Sequence, residues 1–193
     1  MPPIPKPADS PFTRHKNKWK DCVLCSLCET RSKVVFARGK IPCDILFIGE
    51  APGASEDVVG RPFVGPAGNL LDQMIADSLT TESYALTNLI GCIPIGDDGE
   101  KAIEPTEESI KACANKIYEL ISIAKPHGIV FVGKLSEKWI NKDRVLLTSG
   151  KLDFCTITHP AAILRADISI KGLLVQKAIV TIKDLCEEIK IPF

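Results

Sequence analysis

Two stretches of this 193-residue chain hold residues whose types and spacing could do chemistry. The first is "DCVLCSLCETR", with Cys22, Cys25 and Cys28 three residues apart. Thiols at that spacing are metal ligands or disulfide partners. The chain has eight cysteines and reads as intracellular, where disulfides are disfavoured, so a metal or cluster is the better reading of the spaced set. The second is "IGEAPGASEDVVGRPFVGPAGNLLD", residues 48–72, which follows the apolar run "DILF". Glycines at the end of a buried strand suggest a phosphate loop. There is no G-x-G-x-x-G here, and no Walker lysine. Glu50, Glu56 and Asp57 would face a phosphate with negative charge. The residues fit better a tight turn that holds a carboxylate and an aromatic, Phe63, at the mouth of a cleft.

The elements around these stretches have to position them. Four short runs rich in β-branched residues suit buried parallel strands: 44–50, 84–90, 128–133 and 154–159. Helical patterns lie between and after them, at 67–79, 105–125, 135–141 and 170–190. The second of these opens with Thr106 as N-cap and Glu107 and Glu108 in its first turn. In the last, Leu174, Ile179, Ile182, Leu185 and Ile189 fall on one stripe. The alternation predicts a doubly wound α/β sheet whose site lies beyond the carboxyl ends of the strands. Three loops, "GEAPG", "TNLIGC" and "THPAAILR", should converge there. One domain is expected over 18–193, with 1–17 as a flexible, basic, Pro-rich arm. His15 and His127 are expected to be satisfied surface residues.

Composition narrows the classes. The 24 basic residues balance the 24 acidic ones, which argues mildly against indiscriminate coating of duplex DNA. No apolar run is long enough for a membrane span, and the first 20 residues carry no signal-peptide core. A cytoplasmic protein is expected, with no membrane partner.

Four ordered motifs, "CVLCSLCETRSKVVFARG", "GEAPGASEDVVGRPFVGPAGNLLD", "TNLIGC" and "HPAAILR", together resemble the uracil-DNA glycosylase superfamily, nearest its iron–sulfur-containing family 4 branch. The resemblance runs from about Cys22 to Arg165. It implies a three-layer αβα fold around a four-stranded parallel sheet. It also implies excision of uracil from single- or double-stranded DNA by hydrolysis of the N-glycosidic bond, leaving an abasic site for base excision repair. A monomer is expected, with replication or repair proteins as further partners. The resemblance further implies a [4Fe-4S] cluster on Cys22, Cys25, Cys92 and Cys113, with zinc in the same cysteines as the alternative. Cys28 is then an extra cysteine, although a Cys25/Cys28 pair also fits the spacing. Cys43, Cys155 and Cys186 sit in or beside apolar segments and read as buried structural thiols.

A glycosylase must take its base out of the stack. The resemblance gives Phe63 as the stacking aromatic, Asn88 as the uracil reader, and His159 as the group that stabilises charge on uracil O2. Gly49 and Ala51 belong to the same substrate wall. An asparagine that ends an apolar strand must be satisfied, which independently favours a functional role for Asn88. Ile163 best matches the wedge that enters the minor groove, Leu164 is close behind, and Arg165 is a phosphate contact. In well-known members an Asp that activates water stands where this chain has Ala51. Glu50 is therefore the first catalytic carboxylate candidate and Glu56 the second.

The chain departs from the pattern after Cys92, where "CIPIGDDGEKAIEP" lacks the usual arginines and carries an acidic insertion over 96–104. That acid would oppose DNA unless the loop points away or tunes affinity. The insertion is neither basic nor His-bearing, which disfavours covalent capture of the substrate. Competing readings are a non-catalytic DNA- or replisome-binding module of phage polymerase type and a glycosylase for another modified pyrimidine.

Overall fold

The computed structural model describes residues 10–79, 81–96 and 103–189. Four strands form the centre: β2 (Ile45–Gly49), β3 (Tyr84–Asn88), β4 (Gly128–Val132) and β5 (Asp153–Ile157). They lie parallel in the order β3-β2-β4-β5. A two-residue strand, β1 (Arg38–Gly39), adds an antiparallel edge against β3. The sheet is thus the expected parallel one with a fifth, short strand that two residues could not announce.

Side chains alternate across the sheet, so each central strand feeds two cores. Leu46, Ile48, Ile129 and Phe131 pack with Ile117, Leu120 and Ile121 of α4 (Glu107–Ala124). Ile45, Phe47, Val130 and Val132 pack on the other face, where α3 (Pro66–Ser78) brings Leu71, Met74 and Ile75, and α8 (Ile168–Glu188) brings Ile179, Ile182 and Leu185. Strands buried on both faces carry apolar runs rather than alternation, which is why they were readable. The chain steps from β2 outward to β3, then back past β2 to β4. The covering helices change face at that reversal. The carboxyl ends of β2 and β4 therefore flank a topological switch point.

Thr106 caps α4 as expected, accepting from Ser109 N–H at 3.2 Å. Three further helices fill connections: α2 (Ala54–Val59), α5 (Lys134–Trp139) and α6 (Lys142–Ser149). α7 (Pro160–Arg165) follows β5 and takes up the "HPAAILR" motif.

The expectation of a flexible arm over 1–17 is corrected where the chain is described. Residues Pro11–Trp19 form α1, capped by Ser10, which accepts from Thr13 N–H at 3.1 Å. α1 is fastened to α4 through Glu119, which takes Lys18 Nζ at 2.7 Å and Trp19 Nε1 at 2.9 Å. Its Phe12 packs into the core on the α4 side. His15 is likewise not on the surface, being only 1% exposed. Residues 1–9 and most of the acidic insertion, 97–102, lie outside the described residues.

Candidate active site

A cavity of about 1140 Å³ opens at the carboxyl edge of the sheet, lined among others by Glu50, Phe63, Asn88, His159 and Arg165. Residues more than 100 positions apart meet there because β2, β3 and β5 are parallel and end together.

Phe63 sits in the loop after α2 with φ of 55°, a left-handed backbone that is strained for a bulky residue. Several groups hold it there. Arg38 donates through Nε to Pro62 O at 2.9 Å and through Nη2 to Phe63 O at 3.2 Å, and it pairs with Asp72 at 2.6 Å. A Cβ on Gly68 would overlap the Phe63 carbonyl, so only glycine fits where α3 passes beneath the loop. Gly49 has a similar task. A side chain there would collide with both the Phe63 ring and Asn88 Oδ1, and its absence lets the two meet across the end of β2. Asn88 closes β3 opposite Gly49 and is 5% exposed.

Glu56 accepts from Gly53 N–H at 3.1 Å and from Val64 and Gly65 N–H at 2.9 Å each. Its carboxylate is committed to three backbone donors and clasps the Phe63 loop to the start of α2. The neighbouring Asp57, 5% exposed, turns the other way and accepts from Ser32 N–H at 2.8 Å. The sequence reads this pair as charge unsuited to a phosphate and Glu56 as the second catalytic carboxylate candidate, and the structure gives Glu56 a clasping place instead. Its backbone partners are set by loop approach, which no local pattern reports.

Glu50 is half-buried at the end of β2. Burial first, and then repulsion from Glu104, lift its carboxyl above the usual range, while Arg165 opposes them. Glu104 and Ile103 both line the cavity, and Ile103 N–H donates to Pro94 O at 2.9 Å. The far end of the acidic insertion thus faces the site. Ala51 stands beside Glu50 on the cavity wall.

His159 lies two residues beyond β5, as the N-cap of α7. Its Nδ1 accepts from Ala161 N–H at 3.2 Å. A ring nitrogen that accepts carries no proton, so in the neutral ring the proton is on Nε2. Burial, with help from Arg165, lowers the His159 pKa and favours that neutral form. Gly133, at φ of 98°, lets the chain pass close to this ring, because a Cβ there would lie 3.4 Å from it.

The wedge assignment is corrected. Ile163 is 1% exposed and belongs to the core with α3 and α8, so it cannot enter a groove. Leu164, 41% exposed, is the apolar side chain that α7 presents outward.

The cysteines of the first motif follow α1, with Ser26–Cys28 in a 3-10 turn. Cys25 is pushed up by burial, against the Leu27 N–H, and its neighbours include the thiols of Cys113, Cys22 and Cys28. Cys92, just past β3, is pushed up to about 11 by burial, although Lys116 and Arg31 pull it down. Arg31 Nη1 stands 3.7 Å from its sulfur. Among the described residues no three Cys, His, Asp or Glu are gathered at metal-binding distance. The donor set nonetheless fits a thiolate-bound cluster: cysteines from three segments share one neighbourhood, with Lys116 and Arg31 as the cations beside Cys92. Cys43 and Cys186 are buried, as expected of structural thiols, and Cys155 packs partly buried beside α8. No helix among the described residues is long and apolar enough to cross a membrane.

A parallel sheet with a carboxylate, an aromatic, an amide and an imidazole around one cavity at its carboxyl edge defines an α/β protein with its pocket where open sheets of this kind place it. Residues 36–182 match the family model of the uracil DNA glycosylase superfamily. The type-4 uracil-DNA glycosylase of Pyrobaculum aerophilum is 31% identical over 163 residues, covering 76% of this chain and 81% of that protein. The enzymes of the same name from Saccharolobus solfataricus and Sulfurisphaera tokodaii are 36% and 40% identical, over 64% and 62% of this chain. This chain belongs to the uracil DNA glycosylase superfamily, on its type-4 branch. The matched region spans only 56% and 53% of the Saccharolobus and Sulfurisphaera proteins. The crystal structure of wild-type Pedobacter heparinus SMUG2 has the same fold, with a TM-score of 0.58 at 17% identity over 74% of this chain and 76% of that one.

Proposed function

We propose that this protein excises uracil from DNA by hydrolysing the N-glycosidic bond. The observation that carries the reading is that Glu50, Phe63, Asn88 and His159, drawn from four separate segments, line one cavity. A uracil flipped into it stacks on Phe63. The Asn88 amide accepts from uracil N3–H and donates to O4, a pattern that cytosine cannot mirror. As the C1′–N1 bond breaks, its electron pair moves onto the base, and His159 Nε2–H donates to the negative charge on O2. The sugar becomes oxocarbenium-like. Glu50 stabilises that positive charge and orients the water whose oxygen adds to C1′, and the proton this water gives up neutralises the departing uracil anion. Ala51 leaves room beside it and contributes no base. Leu164 fills the gap left in the duplex, and Arg165 contacts phosphate.

Cys22, Cys25, Cys92 and Cys113 would hold a [4Fe-4S] cluster, with zinc as the alternative occupant. Either group would supply a cross-link among the loop after α1, the end of β3 and α4. The active form is read as a monomer, and its partner is uracil-containing DNA.

The test is incubation of the purified protein with uracil-bearing single- and double-stranded oligonucleotides, followed by alkali. Strand cleavage at uracil is expected in at least one context, and none in any context would overturn the proposal. The two carboxylates separate in the same assay. Glu50→Gln should lower the excision rate about 10²-fold. Its melting temperature should hold or rise, because burial already penalises the Glu50 charge. Glu56→Gln should do the reverse in kind. It loses about 2 kcal/mol of stability by weakening a charged clasp on three backbone donors, and its rate falls only as far as the Phe63 loop loosens. Thermal melts beside single-turnover rates distinguish the two.

A further inference from the structure

Behind the active site, on the side of α1 and α4, lies a second cavity of about 10 Å³. Its polar lining is His15, Thr87, Asn88 and Lys116. Asn88 is the one residue that lines both this cavity and the large one, and so stands as the partition between them.

His15 is the anomaly. It is 1% exposed, and neither ring nitrogen has a hydrogen-bond partner. The nearest carboxylate oxygen, Glu119 Oε1, stands 3.7 Å from Nδ1, beyond hydrogen-bond range, while the other oxygen, Oε2, is held by Lys18 and Trp19. The ring is not free to turn toward solvent. Phe12 stacks on it at 6.4 Å and the Phe36 edge meets it at 5.9 Å. Burial lowers its pKa, and Lys116 and Lys18 add to that against Glu119, so the ring is neutral, with one donor and one acceptor. Buried polar groups left unpaired are costly, and proteins resolve them with ordered water. A cavity of about 10 Å³ is the size of one water, and a water needs two to four polar partners, which this lining supplies.

We propose that one water in this cavity joins His15 to Asn88, and that His15 is thereby a positioning residue for base reading. The proposal rests on the assignment of Asn88 as the uracil reader. It makes α1 part of the specificity apparatus. An amide can present its oxygen and its nitrogen either way round, and only one orientation reads uracil. A partner on the rear side selects between them. His15 does not line the active cavity, and a water anchored on its ring restrains the amide from the rear.

Two measurements test this. A high-resolution crystal structure of the unaltered protein should contain a water within hydrogen-bonding distance of both His15 and Asn88. An empty cavity, or a water bound to His15 alone, overturns the proposal whatever the protein does to DNA. That readout is independent of uracil excision, so failure here is distinguishable from failure of the proposed activity. The second measurement compares His15→Phe, which keeps the ring volume, with His15→Gln, which keeps a donor and an acceptor. His15→Phe should lower kcat/KM on uracil-DNA about tenfold, the rate equivalent of one hydrogen bond, with uracil-free DNA bound as before. Its melting temperature should change little, since the ring volume is kept and only one water-mediated contact is lost. His15→Gln should restore most of the rate. Rates that stay at the unaltered level in His15→Phe, or that fall only in step with melting temperature in both variants, overturn the proposal.

Discussion

His159→Ala lowers the single-turnover rate of uracil release about 10²–10³-fold, the cost of losing one donor aimed at developing negative charge. The size follows from how the ring is prepared. Nδ1 is occupied by Ala161 N–H, so the tautomer is fixed before substrate arrives, and Nε2–H is the donor left for O2. Burial lowers the pKa from its ordinary 6.5, which keeps the ring neutral at physiological pH. The pH dependence has a definite sign. The unfolded chain takes up a proton near 6.5, and the folded chain only at lower pH. The stability contributed by this ring is complete above 6.5 and is lost as pH falls toward the folded value. Protonation would also break the Ala161 contact, so stability and activity should decline together on the acid side. His127→Ala is the control, because that side chain is 45% exposed at the opposite end of the sheet, beside Asp44. Rapid-quench rates and melts from pH 5 to 8, read as roughly flat above the histidine range, check the whole statement. A His159→Ala rate within a few-fold of the unaltered protein would remove the imidazole from the mechanism.

The second large effect is expected at the cysteines. Cys113→Ser should abolish the brown colour of an anaerobically purified preparation and destabilise the protein by roughly 4 kcal/mol or more, as loss of a structural metal group does. Three segments distant in sequence are joined at this place: the loop after α1, the residue just past β3, and the second turn of α4. Removing one ligand releases all of them. Cys28→Ser should keep the colour and the melting temperature if Cys22 and Cys25 are the proximal ligands. Visible absorbance and iron content of both variants check this. A colourless preparation containing zinc would assign the same thiols to the other metal, and a Cys28→Ser variant that bleaches while Cys22→Ser does not would move the proximal pair.

Much of the architecture was legible because strands buried on both faces write themselves as apolar runs. "DILFIG" and "GIVFV" have no polar alternation to confuse them. The cap at Thr106 was legible for the same local reason. What escaped depended on phase or on distant docking. Ile163 and Leu164 are adjacent, and which one faces out depends on how the single short helix α7 is rotated onto α3 and α8. α1 is rich in lysine and looked like a solvated arm. It is ordered by Glu119, 100 residues away. His15 is buried for the same reason. Phe63 was read correctly as a loop aromatic, but its left-handed backbone depends on Arg38 and on the passage of Gly68, neither visible in the motif itself.

The acidic pair on α2 has one more consequence. Successive residues on a helix point about 100° apart, so Glu56 and Asp57 reach two different loops from one turn. One loop carries Phe63, and the other leaves the cysteine segment. The Phe63 loop is also fastened by Arg38, and α2 is the element that both loops share. Opening of the cysteine loop should then be felt at the Phe63 wall of the cavity. A chain whose cysteine segment has come loose should keep its sheet and its pocket residues, yet hold Phe63 less firmly.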